Sequence, residues 1–166
     1  MTQYFKPTKD FESFVYSTMV MQAYAIETSI QALRRNRPYC MGSLYWQIND
    51  VWPVYSWASV DFYGQWKALH YRGREAYKDI VSFITALDNS GSFKLHLINE
   101  QLRDVYVKAQ IDVMLFNGTI LGQFTFDQAM VPANNRRADV VHILLPLPLD
   151  LNSTYVRASI FNYTTG

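Results

Sequence analysis

The first part of the chain carries the hydrophobic pattern of an amphipathic helix. Apolar and small residues recur three or four positions apart over residues 10–35, with Asp10 in the N-cap position and Glu12 in the first turn. Basic residues follow at the far end, where they stabilise the negative end of the helix dipole, and Pro38 prevents continuation. The pattern therefore predicts one long helix that ends near Arg35.

A buried strand, a long loop and a second helix are predicted next. Met41–Trp46 is a short apolar and aromatic run ahead of a polar segment, which is typical of a buried strand. An aromatic loop covers residues 53–61, and helical spacing returns over residues 64–78. This order is typical of an alternating α/β architecture. Because a single strand cannot bury both of its faces, we expect its neighbouring strands to precede this chain in a longer protein.

The period of the pattern changes after residues 88–92, which read Asp-Asn-Ser-Gly-Ser. From Phe93 onward, apolar and polar residues alternate as they do in half-buried strands. The dipeptide Asn117-Gly118 is a strong hairpin signal between two such runs. About five short strands separated by turn residues predict an immunoglobulin-like β-sandwich, or most of one. We therefore predict two domains, an α/β segment over residues 1–90 and a β-sandwich over residues 91–166.

The composition argues against several classes of protein. Of the 166 residues, 49% are hydrophobic and 17% are charged, which is typical of globular proteins and not of disordered ones. The formal net charge of +1 argues against nucleic-acid binding, because phosphate backbones require a basic face. The longest apolar runs are too short to span a bilayer, so no membrane partner is predicted.

No metal site and no cofactor are predicted. His70, His96 and His142 are widely spaced, and no carboxylates cluster around them in the sequence. The single cysteine, Cys40, excludes an internal disulfide and a cysteine-rich zinc site, and we expect it to be a small buried core residue. The sequence contains neither a glycine-rich phosphate loop nor a nucleophile elbow. Nucleotide binding and serine-hydrolase chemistry therefore have no support.

All four tryptophans lie in one block between Met41 and Tyr71. The face of an indole packs well against the C–H groups of a sugar ring, while nearby amides and carboxylates bind its hydroxyls. Trp46 ends the predicted strand, and the C-terminal strand ends carry the active site in α/β barrels. The candidate substrate-binding residues are Trp46, Gln47, Asn49 and Asp50.

Structural roles compete with this interpretation. Core packing is favoured for Trp52, Trp57 and Trp66, whereas core packing and sugar binding both stay open for Trp46. Asp50 follows an asparagine in a loop, which is typical turn chemistry, and Asp61 precedes a predicted helix that it could cap. Structural roles are therefore favoured for both aspartates over service as a pair of catalytic carboxyl groups.

The aromatic block resembles a known enzyme family. The run GSLYWQINDVWPVYSWASVDFYGQWKALHY strongly resembles the last barrel strand, loop and helix of the β-mannosidases of glycoside hydrolase family 2. The preceding QAYAIETSIQALRRNRPYCM resembles the helix before that strand, and residues 93–166 resemble, more weakly, the immunoglobulin-like domain that follows the barrel. The resemblance implies the end of a (β/α)8 TIM barrel followed by an immunoglobulin-like sandwich.

The resemblance also implies an activity that this chain does not carry alone. The family members are retaining hydrolases that remove terminal β-linked mannose with two glutamates, both of which precede the helix that opens this chain. Neither glutamate motif occurs here, so no catalytic residue is assigned and the fragment is expected to be inactive on β-mannosides or manno-oligosaccharides. Trp46 matches the tryptophan on the floor of the sugar site, after which the peptide bond is commonly cis.

Two other classes of function remain open. One is a non-catalytic carbohydrate-binding module with an aromatic platform, and the other is a structural or interaction domain built on the sandwich. An incomplete barrel exposes a strand edge and apolar helix faces, so we predict self-association or docking to the missing part. Three sequons, at Asn117, Asn152 and Asn162, permit N-glycosylation in a eukaryotic secretory route, but such triplets also arise by chance and Asn117 is better explained by its hairpin. Lysosomal or secreted and periplasmic locations both stay open.

Overall fold

A computed structural model describes residues 4–86, 92–142, 150 and 152–162. The chain divides into two compact units, Met1–Lys78 and Asp79–Gly166. The described residues form two helices and six strands: α1 (Phe11–Arg34), α2 (Ala68–Ala76), β1 (Ile80–Ala86), β2 (Ser92–Asn99), β3 (Val105–Leu115), β4 (Ile120–Val131), β5 (Asn135–His142) and β6 (Thr154–Asn162).

Helix α1 confirms the helix predicted near the start of the chain. The Oδ1 atom of Asp10 accepts a hydrogen bond of 2.7 Å from the backbone N–H of Ser13, so Asp10 is the N-cap. At the other end the guanidinium of Arg34 is buried and donates to the carbonyls of Ala76 and, at 2.8 Å, Lys78. Arg34 therefore ties the end of α1 to the end of α2.

The buried strand predicted over Met41–Trp46 is wrong for this chain. No strand is assigned there, and among the described residues none pairs with this segment. Leu44 is 100% exposed. The prediction failed because apolar residues indicate burial only when neighbouring strands cover them, and residues 4–78 supply none. Cys40, predicted to be buried, is likewise only half-buried.

Helix α2 begins four residues later than predicted, because residues 61–65 form a separate turn. Asp61 Oδ1 accepts hydrogen bonds from the backbone N–H groups of Tyr63 and Gln65, at 2.9 and 2.8 Å. The N-cap of α2 is Lys67, which makes no side-chain capping bond. The predicted role of Asp61 as a helix cap is therefore wrong, since its carboxylate holds the turn that precedes the helix.

The second unit consists of two antiparallel three-stranded sheets, with strand orders β1-β2-β5 and β4-β3-β6. Strand β1 was not among the predicted strands. It pairs with β2 from Ile80 opposite Asn99 to Ala86 opposite Phe93. Because of this pairing the two compact units divide after Lys78, earlier than the predicted boundary at residue 90.

Both sheets contribute to one apolar core. Alternate side chains of β3, from Val105 to Val113, point inward and are almost completely buried, as the alternating pattern predicted. They pack with buried residues of β2, β4 and β5 in a single cluster. Each fully buried Val or Leu side chain stabilises the fold by roughly 1.5–3 kcal/mol, so this cluster holds the sandwich together. The cluster consists of Phe93, Leu95, Leu97, Val105, Val107, Ala109, Ile111, Val113, Ala129, Val131 and Val141.

The hairpin predicted at Asn117-Gly118 is confirmed as the connection between β3 and β4. The backbone N–H of Gly118 donates to the carbonyl of Leu115 at 2.9 Å, and that of Leu115 donates to the carbonyl of Thr119 at 2.9 Å. Gly118 has a φ of 92°, a left-handed conformation that favours glycine. The turn is therefore one residue longer than a two-residue hairpin loop.

Candidate carbohydrate site

The candidate site lies in the first unit, where the chain passes from Trp46 into the aromatic loop. The peptide bond between Trp46 and Gln47 is cis, which confirms the expectation drawn from the resemblance. Trp46 is exposed, as is Asn49, and Gln47 is half-buried. Three of the four predicted substrate-binding residues therefore present surface that a ligand can contact.

A buried serine fixes the backbone of this segment. The N–H of Ser59 lies 3.1 Å from the carbonyl oxygens of both Gln47 and Ile48. Its hydroxyl donates to the carbonyl of Ile48 at 3.0 Å and lies 3.1 Å from both the Tyr45 hydroxyl and Nδ1 of His70. Ser59 is completely buried, so these bonds are shielded from water and hold the residues after Trp46 in one place.

A single parallel β-bridge between Asn49 and Val60 also holds this segment. Val60 donates its N–H to the carbonyl of Ile48 at 2.7 Å and accepts from the N–H of Asp50 at 3.1 Å. The bridge pairs Asn49 with Val60, and Val60 also pairs with Trp66 on its other side. Gln47 and Asn49 are thus held at the surface by backbone contacts, and the Nδ2 amide of Asn49 also donates to the carbonyl of Asp50 at 3.3 Å.

Asp50 has a different environment from the other three predicted residues. Its side chain is 2% exposed, and its two oxygens accept hydrogen bonds from the Ser56 hydroxyl at 2.6 Å and from Lys67 Nζ at 3.2 Å. The bond from Ser56, and secondarily the ion pair with Lys67, lower the pKa of Asp50 despite its burial. The carboxylate is therefore ionised and holds the loop closed, and neither oxygen points to a free surface.

The tryptophans are surface residues of this chain. Trp46 is 73% exposed, Trp52 and Trp57 are 62% exposed, and Trp66 is 47% exposed. The core packing favoured for the last three is therefore not found here. The Trp66 ring packs against two other rings, with its centroid 4.4 Å from that of His70 and 5.3 Å from that of Tyr71.

A cavity of about 410 Å³ lies between α1 and the aromatic loop. The side-chain amide of Gln22 on α1 donates to the carbonyl of Trp57 at 2.7 Å and so joins the two walls. Both apolar and polar side chains line the cavity, which suits an amphipathic ligand such as a sugar. Its lining comprises Val15, Thr18, Met19, Gln22, Val54, Tyr55, Ser56, Trp57, Asp61 and Lys67.

The described residues of this unit offer no pair of free carboxylates for catalysis. Asp50 and Asp61 hold the loop and the turn. Glu27 lies 3.6 Å from Arg72, and Glu75 pairs with Lys78. Within the described part of the chain, no three His, Cys, Asp or Glu side chains are grouped closely enough to hold a metal ion, and no helix is long and apolar enough to cross a membrane.

Sequence reasoning missed the residues that support the site. Ser59, Ser56 and Lys67 hold the segment from Trp46 to Asp50, yet none was singled out from the sequence. Lys67 lies 17 residues from Asp50 along the chain, so no local spacing indicates the ion pair. The only available signal was that Asp50, Ser56 and Lys67 are polar residues within an aromatic block.

Comparisons with known proteins support the resemblance. No protein-family model matches the chain. It is 31% identical over 112 residues to the β-mannosidase of Mus musculus, an alignment that covers 63% of this chain and 12% of that protein. It is 38% identical over 78 residues to the β-mannosidase of Bos taurus, with coverages of 43% and 9%. The chain thus spans only about an eighth of the mouse protein.

Solved structures extend the similarity to nearly the whole chain. The crystal structure of a β-D-mannosidase from Dictyoglomus thermophilum matches with a TM-score of 0.78 at 27% identity, over 95% of this chain and 19% of that one. An exo-chitosanase from Amycolatopsis orientalis matches with a TM-score of 0.72 at 16% identity, over 93% and 18%, which supports the fold alone. The resemblance to β-mannosidases stated from the sequence is therefore confirmed.

Proposed function

We propose that this relative of the β-mannosidases is part of a retaining glycoside hydrolase that removes terminal β-linked mannose. In this proposal residues up to Lys78 are the last portion of a (β/α)8 barrel, and the two sheets are the immunoglobulin-like domain that follows it. The observation that carries the proposal is the match of 95% of the chain to a β-D-mannosidase. The activity belongs to the larger protein, since the alignment covers only 12% of the mouse relative.

Trp46 is the proposed floor of the sugar site. Its exposed indole offers a flat, partly apolar face to the C–H groups of a mannose ring. The amide groups of Gln47 and Asn49 can donate to sugar hydroxyls and accept from them. The Asp50 carboxylate already accepts hydrogen bonds from Ser56 and Lys67, so the role of Asp50 is to support these residues. The substrate class is a β-mannoside or a manno-oligosaccharide.

The bond-breaking chemistry is assigned to residues outside this chain. A retaining glycosidase needs one carboxylic acid to protonate the leaving oxygen and one carboxylate to attack the sugar, about 5–5.5 Å apart. As the resemblance implies, both are glutamates that precede α1 in the complete enzyme. The contribution of this chain is to bind and orient the sugar. We propose that the 166-residue chain alone is inactive.

The test is kinetic and uses the enzyme translated from the complete reading frame. We expect Trp46→Ala to lower kcat/KM for p-nitrophenyl β-mannoside by about 100-fold, equivalent to about 2.7 kcal/mol. Trp66→Ala is the matched control, because the Trp66 ring packs on His70 and Tyr71 of α2, and we expect it to change kcat/KM several-fold less. Equal effects of the two substitutions would contradict the role assigned to Trp46. Release of p-nitrophenol by the isolated chain would contradict its proposed inactivity.

A second candidate function is an autonomous carbohydrate-binding module. The observation that favours it is the exposure of all four tryptophans in one unit. A module binds manno-oligosaccharides without further domains, whereas an incomplete barrel site lacks most of its walls. Titration calorimetry of the isolated chain with mannotetraose distinguishes the two. Saturable binding that Trp46→Ala abolishes would favour the module.

A further inference from the structure

The end of the second unit that carries the β3–β4 hairpin combines a sequon with an exposed aromatic pair. The triplet Asn117-Gly118-Thr119 fits the acceptor pattern for N-glycosylation. Phe116 comes directly before it and is 70% exposed, with its ring stacked on Tyr155 of β6 at a centroid distance of 5.8 Å and an interplanar angle of 7°. An exposed and nearly parallel ring pair beside a sequon has no role in the apolar core of the sandwich.

Turn chemistry explains only part of this sequence. Gly118 is required by its positive φ, and the Asn117 Oδ1 atom accepts a 3.0 Å hydrogen bond from the N–H of Thr119, as asparagine does in many turns. Neither fact calls for threonine at 119 or for an exposed phenylalanine at 116. The Nδ2 amide of Asn117 donates no hydrogen bond to the described part of the chain, so it is open to modification.

We propose that Asn117 is an N-glycan acceptor and that the Phe116–Tyr155 ring pair carries the first sugar. This inference is independent of the proposed hydrolase function and applies when the chain passes through a secretory route that holds the donor. The donor class is a polyprenyl-diphosphate-linked oligosaccharide, used by a transferase. Nδ2 of Asn117 bonds to C1 of the reducing-end sugar and loses a proton, while the bond from C1 to the diphosphate oxygen breaks and the lipid diphosphate leaves with the electron pair.

The ring pair supplies the recognition. A linked sugar projects from the hairpin within reach of the preceding side chain, and the apolar face of a pyranose ring packs on an aromatic face by the same contact argued above for Trp46. Burying the exposed Phe116 ring under a sugar removes apolar area from water. The stack with Tyr155 holds Phe116 in place beforehand, which lowers the entropy cost of the contact.

The neighbouring sequon at Asn152 provides a control within the same protein. The Phe116 N–H donates to the carbonyl of Ser153 at 3.1 Å, so the two sequons lie at the same end of the sheet. The Thr154 hydroxyl donates to the carbonyl of Asp150 at 2.9 Å, whereas the Thr119 hydroxyl has no such bond in the described residues. No aromatic residue directly precedes Asn152 in the sequence. We expect occupancy at Asn117 to exceed occupancy at Asn152.

The first measurement is site occupancy in the whole chain, expressed with a cleavable leader in a eukaryotic secretory host. Peptide mass spectrometry before and after amidase release of the glycan gives the occupied fraction at each asparagine. We expect Asn117 to be occupied in the wild type and empty in Thr119→Ala, with Asn152 unchanged. An empty Asn117 in the wild type would overturn the proposal, and the assay does not require a stable fold.

The second measurement tests the ring contact. Glycans trimmed to the first sugar are compared with the fully released form by thermal unfolding of the second unit and by nuclear Overhauser contacts between sugar and ring protons. We expect the sugar to raise Tm in the wild type and that gain to be lost in Phe116→Ala. Phe161→Ala removes another exposed ring of the same sheet and should keep the gain. Equal loss in both variants, or no sugar-to-Phe116 contact, would overturn the role of the ring pair.

Discussion

The two units of this chain use apolar residues in opposite ways. In Asp79–Gly166 the long side chains of β2 and β3, such as Leu95 and Ile111, are completely buried between two sheets. In the described part of Met1–Lys78 the buried apolar residues are mostly alanines, and most large apolar side chains, including Leu44 and all four tryptophans, are exposed, whereas Ile30 and Leu69 are buried. The difference therefore lies in whether each unit provides both sides of its own core.

The two units differ in whether they cover their own apolar surfaces. Each sheet of the second unit covers the apolar face of the other, so the alternating pattern is satisfied locally. The first unit has two helices and an irregular aromatic segment, with no sheet among its described residues for the helices to cover. An exposed apolar surface of this kind marks an interaction site or an unfinished core. This agrees with the proposal that the first unit is a portion of a barrel.

The largest effect we predict comes from the core of the second unit. Ile111→Ala should lower the free energy of unfolding of that unit by about 2–5 kcal/mol, because it removes buried methyl groups and leaves a cavity. Leu44→Ala, at a fully exposed position of the first unit, should change stability by less than about 0.5 kcal/mol. Amide hydrogen exchange of β3 reports the second unit, and tryptophan fluorescence reports the first. Similar losses of unfolding free energy in the two variants would contradict the difference between the units.

The ion pair beneath the aromatic segment is the next test. Lys67→Met leaves the Asp50 carboxylate buried with only the Ser56 hydroxyl, so the first unit should unfold at lower denaturant concentration. Glu27→Gln breaks the pair with Arg72, whose side chain is mostly exposed, and should cost less. Tryptophan fluorescence during urea unfolding measures both variants. A smaller loss for Lys67→Met than for Glu27→Gln would show that Asp50 does not need its partner.

A third prediction concerns the buried carboxylate of the second unit. Burial alone would raise the pKa of Asp112, but hydrogen bonds from Arg157, Gln123 and Gln110 outweigh it and lower the pKa below its ordinary value. Its contribution to stability is therefore complete above the unfolded pKa of about 3.9 and is lost as pH falls through the lower folded pKa. Asp112→Asn should cost about 1–3 kcal/mol near pH 7.

The pH series separates that role from general charge effects. The difference between wild type and Asp112→Asn in urea unfolding should shrink steadily below about pH 3.9. Asp127→Asn is the control, because its exposed carboxylate forms a surface pair with Lys108 and should contribute less than about 1 kcal/mol. A difference that stays constant down to pH 2 would rule out the titration of Asp112 as the cause.

The smallest effect on stability should accompany a change in association. The exposed aromatic surface of the first unit predicts that the isolated chain self-associates. Trp52→Ser removes one exposed indole and should reduce the weight-average mass seen in sedimentation, with a change in unfolding free energy of less than about 0.5 kcal/mol. Tyr106→Ser, an exposed ring of the second unit, should leave association unchanged. A monodisperse wild-type monomer would refute the prediction.

Sequence reasoning worked where local chemistry decides the structure. Asp10 fixed the start of α1, and Asn117-Gly118 fixed the β3–β4 hairpin, because caps and turns depend on a few adjacent residues. The cis bond after Trp46 followed from the resemblance and not from periodicity. These features do not depend on what surrounds the chain.

Sequence reasoning failed where contacts between residues far apart in the sequence determine the structure. Met41–Trp46 has the composition of a buried strand, but the part of the first unit that the structure describes contains no strands that would bury it. Interpreting the turn residues 88–92 as a domain boundary hides the strand before them, so β1 was missed until its pairing with β2 was seen. The support that Lys67 gives to Asp50 depends on a fold that joins residues 17 positions apart.

The shared contact at Arg34 has a consequence for how this sequence can change over time. The guanidinium of Arg34, the last residue of α1, donates to the carbonyls of Ala76 and Lys78 and so holds the C-terminal end of α2 against the end of α1. An insertion or deletion inside either helix rotates its end by about 100° per residue and takes the carbonyls away from the cation. Length variation among homologues should therefore collect in the segment between the helices and avoid the helices themselves.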